Sequence, residues 1–278
     1  MGRKEKIIKF IKNDKVVTAS VIFLIIIIIM GIFAPFIATN NPNESILEAK
    51  LMGSSLKYPM GTDQYGRCIF SRCVYGIRTS LGISIIIGFI SILIGALVGI
   101  CSGYYGGIVD TIIMRFCDAL LAFPSLILVL IVVGMLGTST QNIIIAMLLV
   151  HWIWFARVTR SMTLSLKEHI FVKASRISGS NSFKVILKHI FPNILPQLIV
   201  LFTIDMGGII LQLAGFSFLG IGVQAPTPEW GIMINEGKNV LRQNIMVMVW
   251  PSLMIISVIL ALNIVGEAMR NKVDDIVE

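Results

Sequence analysis

The stretch EHIFVKASRISGSNSFKVILKHIFPNILP, residues 168–196, is a basic, helix-competent segment set between two long apolar runs. Before it, residues 119–156 contain no Asp, Glu, Lys or Arg; after it, residues 189–228 are interrupted by Asp205 alone. A chain needs about 20 apolar residues to cross the hydrocarbon core of a bilayer. The stretch therefore reads as a cytoplasmic loop of a membrane-embedded chain, offering something for a partner to grip.

Outward from this loop, the rest of the chain has the same character. Hydrophobic residues make up 56% and charged residues 14%, against roughly 45–50% and about 25% in soluble domains. Residues 16–43, 79–109 and 243–266 are also free of charged side chains. The pattern predicts an all-α integral membrane protein with six transmembrane helices, over about 16–38, 79–103, 119–137, 142–160, 194–215 and 245–266. The long third block divides at the polar turn GTSTQN, residues 137–142. The domain plan is a cytoplasmic N-terminus (1–15), a first span (16–38) and an extracytoplasmic loop with an interfacial helix (39–78). A five-helix core (79–270) with a cytoplasmic loop at 161–193 and a tail (271–278) follow.

Lys and Arg set the orientation. Arg3, Lys4, Lys6, Lys9, Lys12 and Lys15 precede the first span, and Arg115 follows the second. Arg157, Arg160, Lys167, Lys173, Arg176, Lys184 and Lys188 surround the basic loop, and Arg270 and Lys272 end the chain. Sixteen thus fall on one side; the other has seven: Lys50, Lys57, Arg67, Arg72, Arg78, Lys238 and Arg242. The positive-inside rule puts both termini in the cytoplasm of a cell-membrane protein. The net charge of +8 is largely this topology signal and does not point to nucleic acid. Cys68, Cys73, Cys101 and Cys117 form no CxxC or Cys/His cluster, and apolar packing accounts for them better than a disulfide.

Three boxes, in order between about residues 58 and 275, resemble those of permease subunits of ATP-binding-cassette importers, in the dipeptide, oligopeptide and nickel branch. The basic loop is similar to the family's "EAA" signature, an Ala-Ala-like pair, a Gly four to five positions on and a Pro near the next span. Here these are Ala174-Ser175, Gly179 and Pro192, with Lys173 where many members have Glu. GTDQYGRC, residues 61–68, resembles the branch's GTDxxGRD box, with Cys68 replacing the last Asp. Behind it, Ile69, Phe70, Cys73, Val74 and Ile77 recur at helical spacing with Arg67, Arg72 and Arg78 off that stripe, as an interfacial helix would. SFLGIGVQAPTPEWG, residues 217–231, resembles a third box. There Pro228, Glu229 and Trp230 read either as an interfacial anchor or as a gate and contact for an extracytoplasmic binding protein.

Two intramembrane polar residues stand out. Asp205 lies roughly 15 Å into the fifth span at 1.5 Å per residue. It reads either as a cavity-lining group on the translocation path or as an interhelical partner. His151 in HWIWFAR is a fair ligand type for Ni²⁺, although one His makes no metal site, and a packed, hydrogen-bonded His is the plainer reading.

The resemblance implies a type I ABC importer permease fold, with residues around 168–182 forming a coupling helix. It further implies a homologous second permease as heterodimer partner, two ATP-hydrolysing subunits and a binding protein. HWxWxAR, VGMLGT (133–138) and PTPEWG are more similar to nickel permeases than to dipeptide ones. Nickel, free or chelated, is thus the expected cargo and a di- or oligopeptide the alternative. No GxxxxGK[ST] loop is present, so ATP would be bound by partner subunits, and no cofactor or certain metal site is expected in this chain. The absence of HExxH and GxSxG argues against a membrane enzyme. A secondary transporter would be built on inverted repeats, and none is visible in the sequence.

Overall fold

The computed structural model describes residues 14–277, with the backbone alone described over 274–277. The basic run at 1–15 therefore lies outside the described residues except for Asp14 and Lys15, and so does Glu278 of the tail. The described chain is helical, with one isolated bridge between Thr62 and Cys68.

Helix α1 (Lys15–Ile32) opens on Asp14, whose carboxylate accepts from the N–H groups of Val16 (2.9 Å) and Val17 (3.3 Å), a side-chain N-cap. A short α2 (Ala34–Ile37) follows, with Pro35 in its first turn, where a missing N–H costs nothing. Helix α3 (Ile69–Tyr105) runs 37 residues without a break. This corrects the expected separate interfacial helix. CIFSRCVYGIRTSL holds no proline, so its stripe continues straight into the second span.

The third span differs more. In place of one helix over 119–137, α4 (Gly107–Leu121) and α5 (Ser125–Leu136) meet at a bend of 85°. Pro124 is the reason: it has no N–H to donate and stands extended (ψ 131°) as the N-cap of α5.

Helix α6 (Thr140–Lys167) precedes a short α7 (Ile170–Ile177), and α8 (Ser182–Phe218) follows. The expected loop of 161–193 is thereby shortened to residues 168–181 around α7. The side chain of Asn181 accepts from Lys184 N–H at 2.8 Å and starts α8 ten residues before Pro192. Residues Ile186–Ile190 take π-helical form just ahead of Pro192 and Pro196, neither of which can donate to the ladder. Helix α9 (Trp230–Gly237) and α10 (Met246–Val277) complete the chain. Five of these helices are long and apolar enough to cross a membrane, and six if the bent pair counts as one span.

The described chain divides into two compact units, one of residues 14–85, 138–140 and 203–271, the other of 86–137, 141–202 and 272–277. In the first, Ile22, Ile25, Ile26, Ile28 and Ile29 of α1 are about half exposed, an apolar face suited to lipid. In the second, α3 and α6 pack through Gly95, Gly99 and Gly103, spaced four apart. A Cβ on any of them would run into Phe155, Ala156, Thr159 or Thr163.

Candidate coupling segment and charge cluster

Helix α7 is amphipathic, and its two sides do different things. Val172 is fully buried in a cluster with Ala96, Ile100 and Tyr104 of α3 and Val185, Ile190, Ile194 and Leu198 of α8. On the open side Ile170 is 85% and Ile177 88% exposed, with Phe171 beside them. Lys173 is exposed and pairs with Glu168 at 2.8 Å, which holds the Glu168 carboxyl below its usual range. Ala174 and Gly179 are exposed and Ser175 half-buried, so the small residues of the sequence box share one open segment. Pro192 is exposed too, but lies within α8 and not in that segment.

Gly179 has a local reason to be glycine. Its φ is +82°, its N–H bonds to Arg176 O at 3.0 Å, and Ser180 N–H reaches back to Ser175 O at 3.2 Å. These two bonds are the Schellman ending of a helix, which needs a left-handed residue at that position. Above α7, the guanidinium of Arg176 and the ammonium of Lys167 stand 5.6 and 5.9 Å from the Tyr104 ring centre. Nearby, Arg160 grips Asp110 with Nε at 2.5 Å and Nη2 at 2.6 Å, and Ser102 donates to the same carboxylate. That fork ties α4 to α6.

A second constellation was not legible as a site in the sequence. Asp63, Arg67, Arg72 and Glu236 form a buried, charge-balanced cluster in the first unit. Arg67 donates Nε to Asp63 at 2.6 Å and Nη2 to Glu236 at 2.7 Å, and Arg72 donates Nη2 to Glu236 at 3.0 Å. Asp63 also accepts from the N–H groups of Tyr65 (2.8 Å) and Arg67 (3.0 Å). Arg67 and Arg72 are 4% and 1% exposed, so these two arginines do not lie on a wet face as the interfacial reading required. Asp63 and Arg67 stand four residues apart, a spacing the sequence displays. Glu236, more than 160 residues away, carried no signal.

The third box also packs inward. Trp230 is fully buried and donates Nε1–H to Cys73 O at 3.1 Å. Glu229, 1% exposed, caps α9 by accepting from Ile232 N–H at 3.0 Å, and accepts from the Ser80 hydroxyl at 3.1 Å. Burial pushes the Glu229 carboxyl up, while these bonds, with those from Gly231 N–H and Ser217, pull the other way. An interfacial anchor would keep its ring at the surface, and this one is in the core. Pro228 is buried as well; the exposed residues of the hairpin are Ala225, Pro226 and Thr227.

Asp205 sits in the middle of α8 in the first unit and is half-buried. His151, also half-buried, lies on α6 in the second unit, its ring 6.2 Å from that of Phe155 in an edge-on contact. Among the described residues no group of three or more His, Cys, Asp or Glu is arranged to hold a metal ion. All four cysteines are free, and Cys101 alone among them is exposed.

Residues 91–275 match the family described as the binding-protein-dependent transport system inner membrane component. Residues 6–54 match the N-terminal transmembrane domain of oligopeptide transport permease C. The nickel transport system permease protein NikC of Escherichia coli K12 is 37% identical over 265 residues, covering 95% of this chain and 96% of its own. The dipeptide permease DppC of Alkalihalophilus pseudofirmus is 36% identical over 266 residues, covering 96% and 88%. The glutathione permease GsiD of Escherichia coli O6:K15:H31 is 38% identical over 267 residues, also covering 96% and 88%. In fold, a chain of the inward-facing MetNI methionine ABC transporter superposes with a TM-score of 0.60 at 18% identity, over 74% of this chain and 97% of that one. The chain belongs to the family of inner-membrane components of binding-protein-dependent transport systems. It is a multi-pass permease subunit of the ATP-binding-cassette importer class.

Proposed function

We propose that this permease forms half of the translocation pathway for nickel, free or chelated, in an importer driven by two separate ATPase subunits. Its second half is a homologous permease, and an extracytoplasmic binding protein delivers the cargo. Both termini and α7 lie in the cytoplasm. The observation that carries the reading is α7: buried through Val172 and open through Ile170, Phe171 and Ile177, it offers an apolar surface on a helix fixed to the spans. ATP-driven closure of the ATPase pair then displaces α7, and a ligand-dependent shift of this kind requires different contacts in the two ATPase states. Asp205 and His151 are each a candidate for the path, with an interhelical contact of Asp205 and a packed, hydrogen-bonded His151 as the second readings.

Nickel is supported by the HWxWxAR and PTPEWG strings and by the similarity to NikC. A di- or oligopeptide is the second reading, since the dipeptide and glutathione permeases match to a similar degree. The deciding experiment is competitive uptake of labelled nickel and labelled dipeptide by membranes carrying the assembled complex, repeated with Asp205→Asn and His151→Gln. Nickel uptake reduced in both variants, with ATPase assembly intact, supports the proposal. Dipeptide taken up in preference to nickel replaces the cargo.

A further inference from the structure

Arg72 lies on the first turn of α3 with its side chain 1% exposed, and its guanidinium reaches four separate stretches of the same unit. Nη1 donates to the carbonyl oxygens of Pro42 (3.3 Å) and Pro226 (3.2 Å). Nη2 donates to Glu236 on α9 (3.0 Å), and Nε stands 3.8 Å from Asp63 Oδ2. A charge pair alone would not require the two neutral carbonyls, because Glu236 is already met by Arg67 at 2.7 Å. In the hairpin before α9, Gly222 and Val223 are buried on one side and Pro228, Glu229 and Trp230 on the other, leaving 225–227 as the exposed tip. The carbonyl in the middle of that tip is the one Arg72 holds.

We infer that Arg72 is a positioning residue for the docking of the extracytoplasmic binding protein. It fixes the tip 225–227 against the 38–68 loop and α9, so that the partner meets a formed surface. Docking on a formed surface avoids the cost of ordering a hairpin during association. A guanidinium suits this task and an ammonium does not, because its planar fork carries five donors in fixed directions. The occupant is the binding protein because the family's transport depends on one. The inference rests on the importer reading above.

The test titrates ATPase stimulation by the cognate binding protein in liposomes holding the full complex. In the double variant R72M/E236M, Arg67 and Asp63 still pair at 2.6 Å and no buried charge is stranded, a replacement that stability usually tolerates. The half-saturating concentration of binding protein should rise about tenfold, roughly 1.4 kcal/mol, with the maximal stimulated rate retained. Arg72→Lys keeps a charge beside Glu236 but loses the reach to both carbonyls, and should show the same rise. Thr227→Trp, which adds bulk on the exposed tip, should do so as well. A wild-type half-saturation in the Arg72 variants, or a fall confined to the maximal rate, overturns the inference. A wild-type complex that the binding protein does not stimulate would instead remove the importer reading beneath it.

Discussion

The indole of Trp230 occupies the space that Gly76 leaves by having no side chain. A Cβ at position 76 would stand 2.8 Å from both Cδ1 and Nε1 of that ring, which is itself held by the Cys73 carbonyl. The contact fastens the start of α9 to α3. Gly76→Ala should destabilise the protein by about 1–3 kcal/mol through overpacking. Adding Trp230→Phe should recover part of that loss, since neighbouring substitutions are not additive. Thermal unfolding of wild type, the two single variants and the double variant in detergent reads the coupling, and simple additivity would contradict the contact.

Asp110 and Asp118 each face an arginine on α6, with unequal consequences. Asp110 is 17% exposed and held by both arms of Arg160, whereas Asp118 is 57% exposed and 3.7 Å from Arg157. Asp110→Asn should cost about 1–2 kcal/mol of stability, the loss of a charge-assisted fork. Asp118→Asn should fall within about 0.5 kcal/mol of wild type, as exposed pairs do. Equal effects in a denaturation series would show that the fork does not hold α4.

Burial raises the Glu229 carboxyl above its ordinary 4.5, so the folded state favours its protonated form. Between 4.5 and the folded value the folded protein binds more protons than the unfolded chain, and stability falls as pH rises through that window. Glu229→Gln keeps an acceptor for Ile232 N–H but cannot ionise. The melting-temperature difference between variant and wild type should therefore shift toward the variant as pH rises from about 4.5 to about 8. A difference that stays constant over this range would mean that Glu229 does not titrate there.

Gly179 separates two reasons for a glycine. Its φ of +82° favours residues that tolerate the left-handed region, and a Cβ there would meet open space beyond its chain neighbours. If the turn is the requirement, Gly179→Asn should retain more transport than Gly179→Ala, because Asn visits that region more readily. If close approach of an ATPase surface is the requirement, the larger Asn should be the worse of the two. Uptake and ATPase stimulation measured together distinguish them, and under close approach Gly179→Asp should also lose coupling while remaining in the membrane.

The spans were legible because charge-free blocks of this length have few other readings, and the GTSTQN turn divided the longest block. Pro124 stood inside an uninterrupted apolar run, where hydropathy hides a break that backbone chemistry enforces. The basic residues after Asn181 read as loop, whereas its side chain caps Lys184 N–H and starts α8 there. Gly95, Gly99 and Gly103 recur every four residues, but the helix they meet is set by Phe155, Ala156, Thr159 and Thr163 of α6, which no local pattern links to them. Glu229 and Trp230 looked amphipathic in isolation, and their burial depends on Ser80, Cys73 and Gly76 of a distant helix. The Arg72 cluster fails in sequence for the same reason, since its partners at Pro42, Pro226 and Glu236 come from three separate segments.

The most direct test of the central claim is uptake into liposomes holding this permease with its partner permease and ATPase subunits, supplied with loaded binding protein. Transport should require both ATP and the binding protein, and should persist when ionophores collapse every ion gradient. Uptake that proceeds without ATP and stops with the ionophores would make the chain a gradient-driven transporter and contradict the account.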